Sequence, residues 1–320
     1  MFTTYIRGVI RVMIAFLFGS TGEIITEKSG HLNLGTPGIM CMGATGAVVG
    51  AGIYIKAIGG AANSNAFLAI LIPMTFCLIF AGITGLLYCF FVNTLQCNQN
   101  VTGLTITTLG GGIFPFVSSI MKNEGLSILS AKYYVRIFPA DFCEANWFTK
   151  IFLSHGFLVY LAIGLAIGAF FIMKKTRIGL SLRAIGESPS TADASGINVS
   201  RYKYIATIIG SAISGLGGLY YLMVMNNGAL EFNVESYGWL AVALVIFSLW
   251  NTLIAIGGSL LFAIFYQLPR FINATGATGK IIELIPYVVT IIVLIIVSLF
   301  NKRETQPPAS LGVNYFREDR

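Results

Sequence analysis

Charged side chains are scarce in this 320-residue chain. Asp, Glu, Lys and Arg together make up 10% of it, against 56% hydrophobic residues, and the mean hydropathy is +0.80. Long stretches contain no charge at all, namely residues 57–121, 151–173, 204–230, 236–269 and 284–301. Such a composition excludes an ordinary soluble domain and indicates a protein whose main solvent is lipid.

The residue types that build metal and phosphate sites are also few. His31 and His155 are the only histidines, the five cysteines contain no Cys-x-x-Cys pair, and no Gly-x-x-x-x-Gly-Lys-Ser/Thr phosphate loop occurs. The odd cysteine count predicts no disulfide framework. We therefore expect no catalytic metal, no resident cofactor and no ATP site in this chain. Any ATP-driven activity must then use another subunit.

Long apolar runs, separated by glycine, proline and polar residues, fill the rest of the sequence. About 20 apolar helical residues cross a hydrocarbon core of about 30 Å, so the hydropathy predicts an all-α bundle of about nine membrane spans, within a range of eight to ten. The predicted spans are residues 7–25, 36–58, 66–91, 101–120, 151–173, 204–225, 237–250, 252–269 and 282–301. The 36 glycines favour close packing at pairs such as Gly164/Gly168 and Ser211/Gly215, with spacing without contact as the alternative.

The net charge of +7 lies mainly between the apolar runs, without the aromatic and basic pattern typical of nucleic-acid binding. The tendency of cytoplasmic connectors to carry Lys and Arg explains this positive charge. It places the basic connector 174–203 in the cytoplasm. The connector 226–236 carries only acidic charge and is expected outside. Counting spans from there places the tail, residues 302–320, in the cytoplasm and the N-terminus outside, with residues 1–301 forming the membrane domain.

An amphipathic stretch of mixed charge, residues 179–200, separates two strongly apolar spans. Ser188 or Ser190 suits the N-cap of a short helix over residues 190–195, Pro189 suits its first turn, and Gly196 suits its end. A solvated loop that only fixes topology is the alternative. A short helix projecting from a membrane domain offers a contact for a cytoplasmic partner that drives movement.

The sequence RAIGESPSTADASGINV, followed by SAISGLGGLYY, resembles the coupling loop and next span of ABC importer permeases in the branched-chain amino-acid, ribose and nucleoside branch. The likeness extends over nearly the whole chain and is greatest to nucleoside and simple-sugar permeases. It implies a type II-like importer fold in which this loop docks into a groove of a separate ATPase subunit. The coupling residues that it implies are Arg183, Ala184, Gly186, Glu187, Ala192, Asp193, Gly196, Ile197 and Val199.

The same resemblance implies the other partners. Two homologous permease subunits share one pathway across the plasma membrane, ATPase subunits bind and hydrolyse ATP, and an extracellular lipoprotein delivers the solute. Nucleosides or similar small polar solutes are the expected cargo, with riboflavin, simple sugars or branched-chain amino acids as alternatives. The rival class is a secondary transporter without an ATPase. Such proteins commonly carry ionisable groups in their spans, and this chain has hardly any.

Glycines and a proline interrupt the apolar pattern in residues 26–43, TEKSGHLNLGTPGIMCMG, so we expect a broken helix near residues 27–38. Irregular backbone at membrane depth is tolerated where it is buried in protein or lines a wet cavity. An interfacial turn is the alternative. The segment is similar to the Glu-x-x-Gly-x-x-Asn-x-Gly signature of nucleoside and simple-sugar permeases. That likeness implies four pathway candidates, Glu27, Gly30, Asn33 and Gly35.

This chain departs from the signature at one place. Relatives usually carry a Glu-Gly pair shortly afterwards, where Pro37-Gly38 stands here, so no role of that carboxylate is carried over. Glu23, near the end of the first run, is a functional candidate unless it reaches water at the end of its span. The amides from Asn93 to Asn100 suit hydrogen bonds to a solute in a wet pathway, with a polar turn as the alternative.

Overall fold

Helices are the regular secondary structure in the part of the chain that the computed structural model describes, residues 2–60, 63–122, 133–138, 146–230, 233–272, 276–300 and 306–316. They are α1 (Phe2–Glu27), α2 (Thr36–Ala57), α3 (Ala66–Cys89), α4 (Gln99–Lys122), α5 (Phe157–Lys175), α6 (Arg177–Glu187), α7 (Pro189–Ala194), α8 (Val199–Tyr220), α9 (Val234–Phe247), α10 (Thr252–Phe271) and α11 (Gly276–Phe300). Single turns of π-helix lie before α5 and after α3 and α8, at Thr149–Leu153, Phe90–Thr94 and Tyr221–Met225.

Seven of the described helices are long and apolar enough to cross a membrane: α1 to α5, α8 and α10. Helix α9 is apolar but has only 14 residues, and α11 has 25. The predicted all-α, polytopic bundle is confirmed, while the total of about nine spans stays a prediction. The fifth helix starts at Phe157 instead of residue 151, because the π-helical turn ends at Leu153 and Gly156 is extended.

Three helices form the centre of the bundle. Within the most apolar window of each helix, 78% of the residues are buried in α1 and α2 and 72% in α8, against 28% in α3, α4 and α5. The outer helices expose large apolar side chains such as Ile79, Leu104 and Phe171, which suits contact with lipid. The main core cluster joins the central helices to α5, α9 and α10.

Glycines let the central helices pack backbone against backbone. A Cβ atom placed on Gly22 of α1 would lie 2.2 Å from the carbonyl oxygen of Gly210 in α8. One placed on Gly43 of α2 would lie 2.4 Å from the carbonyl oxygen of Gly215 in α8. These distances are too short for any side chain, so the close approach of the three helices requires glycine.

The two predicted pairs of small residues differ in outcome. Gly215 faces α3, since a Cβ atom on it would lie 2.3 Å from the Cβ of Ala81. Ser211 faces α3 as well, since a Cβ atom on Gly85 would lie 2.2 Å from Ser211 Oγ. Contact at that pair is therefore confirmed. A Cβ atom on Gly164 or Gly168 of α5 would meet nothing within 4 Å, so within the described part of this chain the alternative, spacing without contact, applies to that pair.

One end of the bundle, here named the connector end, carries residues 28–35, 93–98, 176–198 and 306–316. Tyr88, at the end of α3, donates a hydrogen bond of 2.7 Å to the carbonyl of Leu32 there. At the opposite end, Arg7 Nε donates to Ser154 Oγ at 2.9 Å. Helix α1 therefore begins at the opposite end and finishes at the connector end.

The last residues of the connector 226–236 enter the bundle, because α9 begins at Val234. The predicted position of this connector on the outer side stays a prediction. A Cβ atom on Gly111, in the middle of α4, would lie 3.1 Å from Glu235 Oε2, and the ring of Tyr237 stacks on Phe16 of α1 with centroids 5.4 Å apart. Acidic charge predicted a connector correctly but contains no information on how deeply the connector enters the bundle.

The glycine contacts predict that a change from glycine to alanine lowers stability at one site and not at another. Gly43→Ala forces a methyl group into the backbone of α8, and we expect destabilisation by about 1–3 kcal/mol. Gly168→Ala is the matched control, since its methyl group meets open space and alanine is the better helix former. The midpoint of thermal unfolding in detergent should fall for the first variant only. Equal midpoints would contradict the close approach.

Candidate functional site

The connector between α5 and α8 folds into two short helices at a sharp angle. Thr176 caps α6 by accepting a hydrogen bond from Gly179 N–H at 3.2 Å. Ser188 caps α7 by accepting from Thr191 N–H at 3.4 Å, and Pro189 occupies the first turn. Gly196 ends α7 with a φ of +84°, a value that favours glycine. The predicted helix, its cap and its stop are confirmed, with the helix bounds shifted to Pro189–Ala194.

Helix α7 has an apolar inner face and a polar outer face. Ala192 is buried against Ile185 of α6 and Val199 of α8. Its outer face exposes small polar or apolar side chains, Ser190, Thr191, Ala194 and Ser195. The inner contacts hold α7 in a fixed orientation, and the outer face is free to meet another surface.

The predicted coupling residues, on α6, on α7 and just after it, differ in exposure. Gly186 and Ala192 are buried, Arg183 and Asp193 are half-buried, and Glu187 and Gly196 are exposed. Gly186 touches the end of α1, because a Cβ atom on it would lie 2.4 Å from the carbonyl oxygen of Lys28. Burial lowers the pKa of the Lys28 ammonium, and the nearby carboxylate of Glu187 partly offsets that effect. The coupling loop is therefore in direct contact with the connection between α1 and α2.

Residues 28–35 form that connection, and side chains satisfy its irregular backbone. Gly30 has a φ of +90°, which permits a sharp turn. The N–H of Leu32 donates to Gln99 Oε1 at 2.7 Å, and Thr107 Oγ1 donates to the carbonyl of Leu34 at 2.8 Å. A non-helical interruption near residues 27–38 is confirmed. It is packed inside protein, as irregular backbone in a membrane protein requires.

Two buried carboxylates hold this connection in place. Glu23 Oε2 accepts hydrogen bonds from Asn33 Nδ2 at 3.1 Å and from the hydroxyl of Thr36. Glu27 accepts a hydrogen bond from the indole N–H of Trp250. Glu23 is only 1% exposed, so the alternative that it simply reaches water does not hold. Its carboxylate instead joins the end of α1 to the start of α2.

The predicted pathway residues lie together but are enclosed. Glu27, Gly30, Asn33 and Gly35 are all buried, and their hydrogen bonds are made within the connection, to adjacent helices or to Gly312. Asn93 lies apart from them, half-buried, and donates to Ser200 Oγ at 2.6 Å. Their role in contacting solute therefore stays a prediction, and in this conformation they form structural contacts.

The C-terminal segment, residues 306–316, packs across the connector end. Ser310 donates to the carbonyl of Gly186 through its N–H at 2.9 Å and through its hydroxyl at 2.6 Å. The N–H of Gly312 donates to the carbonyl of Gly30 at 3.2 Å. Tyr315 OH donates to Asp193 at 2.9 Å. One short segment thus bonds to both short helices of the connector and to the α1–α2 connection.

The same segment also contacts the turn between α3 and α4. Asn314 Nδ2 donates to the carbonyl of Gln96 at 2.8 Å, and its Oδ1 accepts from Gln99 Nε2 at 3.0 Å. Sequence reasoning interpreted residues 302–320 only as a tail and missed these contacts. The signal available was the cluster of uncharged amides near residue 96, which here bind backbone and the C-terminal segment.

Comparisons with known proteins agree with this geometry. Residues 5–297 match the family described as branched-chain amino acid transport system / permease component. The nucleoside ABC transporter permease protein NupC of Lactococcus lactis is 28% identical, over 94% of this chain and 93% of the relative. The guanosine ABC transporter permease protein NupQ of Bacillus subtilis is 27% identical, over 93% and 92%. A putative glucose ABC transporter permease of Haloferax volcanii is 26% identical, over 81% and 74%.

The helical bundle with its projecting connector is thus a multi-pass membrane permease, the non-catalytic membrane component of a transport system. The chain belongs to the family of branched-chain amino acid transport system permease components. The resemblance to ABC importer permeases of the branched-chain amino-acid, ribose and nucleoside branch is confirmed.

The C-terminal segment predicts a measurable change in the connector. Tyr315→Phe removes the hydrogen bond to Asp193, a loss of about 1 kcal/mol. Hydrogen exchange of the amides in residues 189–197 should then rise about fivefold. Tyr160→Phe is the matched control, because it removes the same hydroxyl from a bond of 2.6 Å to the carbonyl of Phe152, away from the connector. Unchanged exchange in Tyr315→Phe would show that the contact does not hold α7.

Proposed function

We propose that this chain is one of two permease subunits of an ATP-binding-cassette importer for nucleosides, energised by a separate ATPase subunit. The observation that carries the proposal is the short helix α7, which is fixed on its inner face and exposed on its outer face. The names of the two relatives that align with nearly the whole chain support the solute class.

The ATPase binds the outer face of α7 in this mechanism. Movement of α7 passes through Ala192 and Ile185 to the start of α8, and through Gly186 to the end of α1 at Lys28. Both of these helices belong to the tightly packed centre, so they move together with α2 and change the access of the pathway. ATP binding and hydrolysis bias this equilibrium between two packed arrangements.

The orientation follows from the same assignment. The connector end faces the cytoplasm, since α5, α6 and α8 carry exposed basic residues there, Lys174, Lys175, Arg177 and Arg201. Helix α1 finishes at this end, so the N-terminus lies outside and residues 306–316 lie in the cytoplasm. An extracellular binding lipoprotein delivers solute to the opposite end, and a homologous permease subunit completes the pathway.

Uptake by purified components tests the proposal against its rival. The chain, its permease partner and the ATPase are reconstituted in vesicles, and the binding protein is added. Uptake of nucleosides, sugars and branched-chain amino acids is then measured with and without ATP. ATP-dependent accumulation of nucleosides is expected. Accumulation against a gradient by the chain alone without nucleotide would instead establish a secondary transporter, and accumulation of sugar alone would overturn the solute class.

The backbone at Gly196 gives a sharper test of the coupling loop. Gly196→Val places a β-branched residue at a φ of +84°, which distorts the end of α7. We expect loss of ATPase co-purification and at least a tenfold fall in uptake, with membrane insertion unchanged. Gly196→Asn is the matched control, because asparagine tolerates positive φ, and it should retain most of the uptake. Equal uptake in the two variants would contradict the coupling role.

A further inference from the structure

Glu235 lies level with the middle of the membrane-spanning helix α4. Its Oε2 atom lies beside Gly111, at 3.1 Å from the position that a Cβ atom there would occupy. Gly111 is in the middle of α4, a helix of 24 residues. At 1.5 Å per residue that helix is about 36 Å long, which places the carboxylate about 18 Å from either end. This depth is where an ionisable side chain is most costly and is a functional candidate by default.

The carboxylate is only partly enclosed by protein. Glu235 is half-buried, and its Oε1 atom accepts a hydrogen bond of 3.3 Å from the indole N–H of Trp239 on the next turn of α9. Within the described ranges, no lysine or arginine forms an ion pair with it. A position in the first turn of α9 offers some stabilisation by the helix dipole. That contribution is smaller than the cost of placing a charge at this depth.

Lipid therefore cannot be the surface that Glu235 meets. Beside it, Gly112 is exposed and a Cβ atom added there would meet nothing within 4 Å. Ser236 is exposed as well. The carboxylate and the half-buried indole thus lie beside exposed positions of α4 and α9. A surface that carries a carboxylate at mid-depth meets water, a polar solute or protein.

We infer that Glu235 and Trp239 form a solute-contact site within the translocation pathway, one that takes the ribose of a nucleoside. The inference rests on the proposed function and specifies where its solute binds. An ionised carboxylate accepts two hydrogen bonds from vicinal hydroxyls, and the indole offers an apolar face to the flat base. The neighbouring glycines leave room for a flat ring. A single carboxylate gives weak binding, which suits a site that must release its solute.

This chemistry predicts selectivity for the ribose diol. A 2′,3′-dideoxynucleoside lacks both hydroxyls and leaves the carboxylate with no hydrogen bond from the solute, so its uptake should be about tenfold lower than that of the ribonucleoside. Glu235→Gln should lower ribonucleoside uptake about tenfold and reduce the preference to twofold or less. Uptake is measured in vesicles containing the complete importer, loaded with saturated binding protein so that its own selectivity does not limit the rate.

Three further variants separate solute contact from folding. Gly112→Leu adds a side chain at an exposed position where a Cβ atom would meet nothing within 4 Å, and it should lower uptake by occupying the site. Trp239→Phe should lower uptake of both nucleosides, whereas Trp147→Phe, at an exposed residue outside the central bundle, should change neither. Each variant is first checked for assembly with its partners and for ATP hydrolysis by the importer.

The outcomes distinguish the two proposals. A wild-type importer that accumulates no nucleoside overturns the proposed function and this inference with it. A wild type that imports nucleosides while Glu235→Gln keeps full uptake and full preference overturns only the inference. Loss of assembly in Glu235→Gln also overturns it, because the carboxylate would then be a contact between subunits.

Discussion

Contact between helix backbones is the constraint on which the rest of this structure depends. Helices α1, α2 and α8 approach so closely at Gly22, Gly43, Gly210 and Gly215 that no side chain fits between them. In lipid, apolar side chains gain little by associating with one another, so close van der Waals packing supplies much of the association. A tightly packed centre also changes by discrete rearrangement and not by gradual deformation.

The polar groups of the molecule are arranged around that centre. The α1–α2 connection buries two carboxylates and an irregular backbone, and Asn33, Gln99, Thr107 and Trp250 each supply a hydrogen bond to it. Such pairing is favoured where water is excluded. Because the coupling loop and the C-terminal segment both bond to this connection, a displacement at the cytoplasmic surface in the proposed orientation reaches two central helices at once.

Local patterns in the sequence predicted local structure well. Ser188, Pro189 and Gly196 defined a short helix with its cap and its end, because capping depends on neighbouring residues only. Hydropathy located the helices for the same reason. The depth of Glu235 and the contacts of residues 306–316 depend on how distant helices are arranged, and neither periodicity nor charge contains that information. The enclosure of Glu27 likewise depends on Trp250, which is distant in the sequence. The enclosure of Asn33 depends on Glu23 of α1.

The C-terminal segment has a consequence for biosynthesis. Residues 306–316 are translated after α1 to α11, and they supply hydrogen bonds to Gly30, Gly186 and Asp193. The surface proposed to receive the ATPase is therefore completed only once translation has passed these residues. A nascent chain in which residues 306–316 have not yet emerged presents α7 without these anchors, so engagement of the ATPase would favour chains in which this segment is already in place.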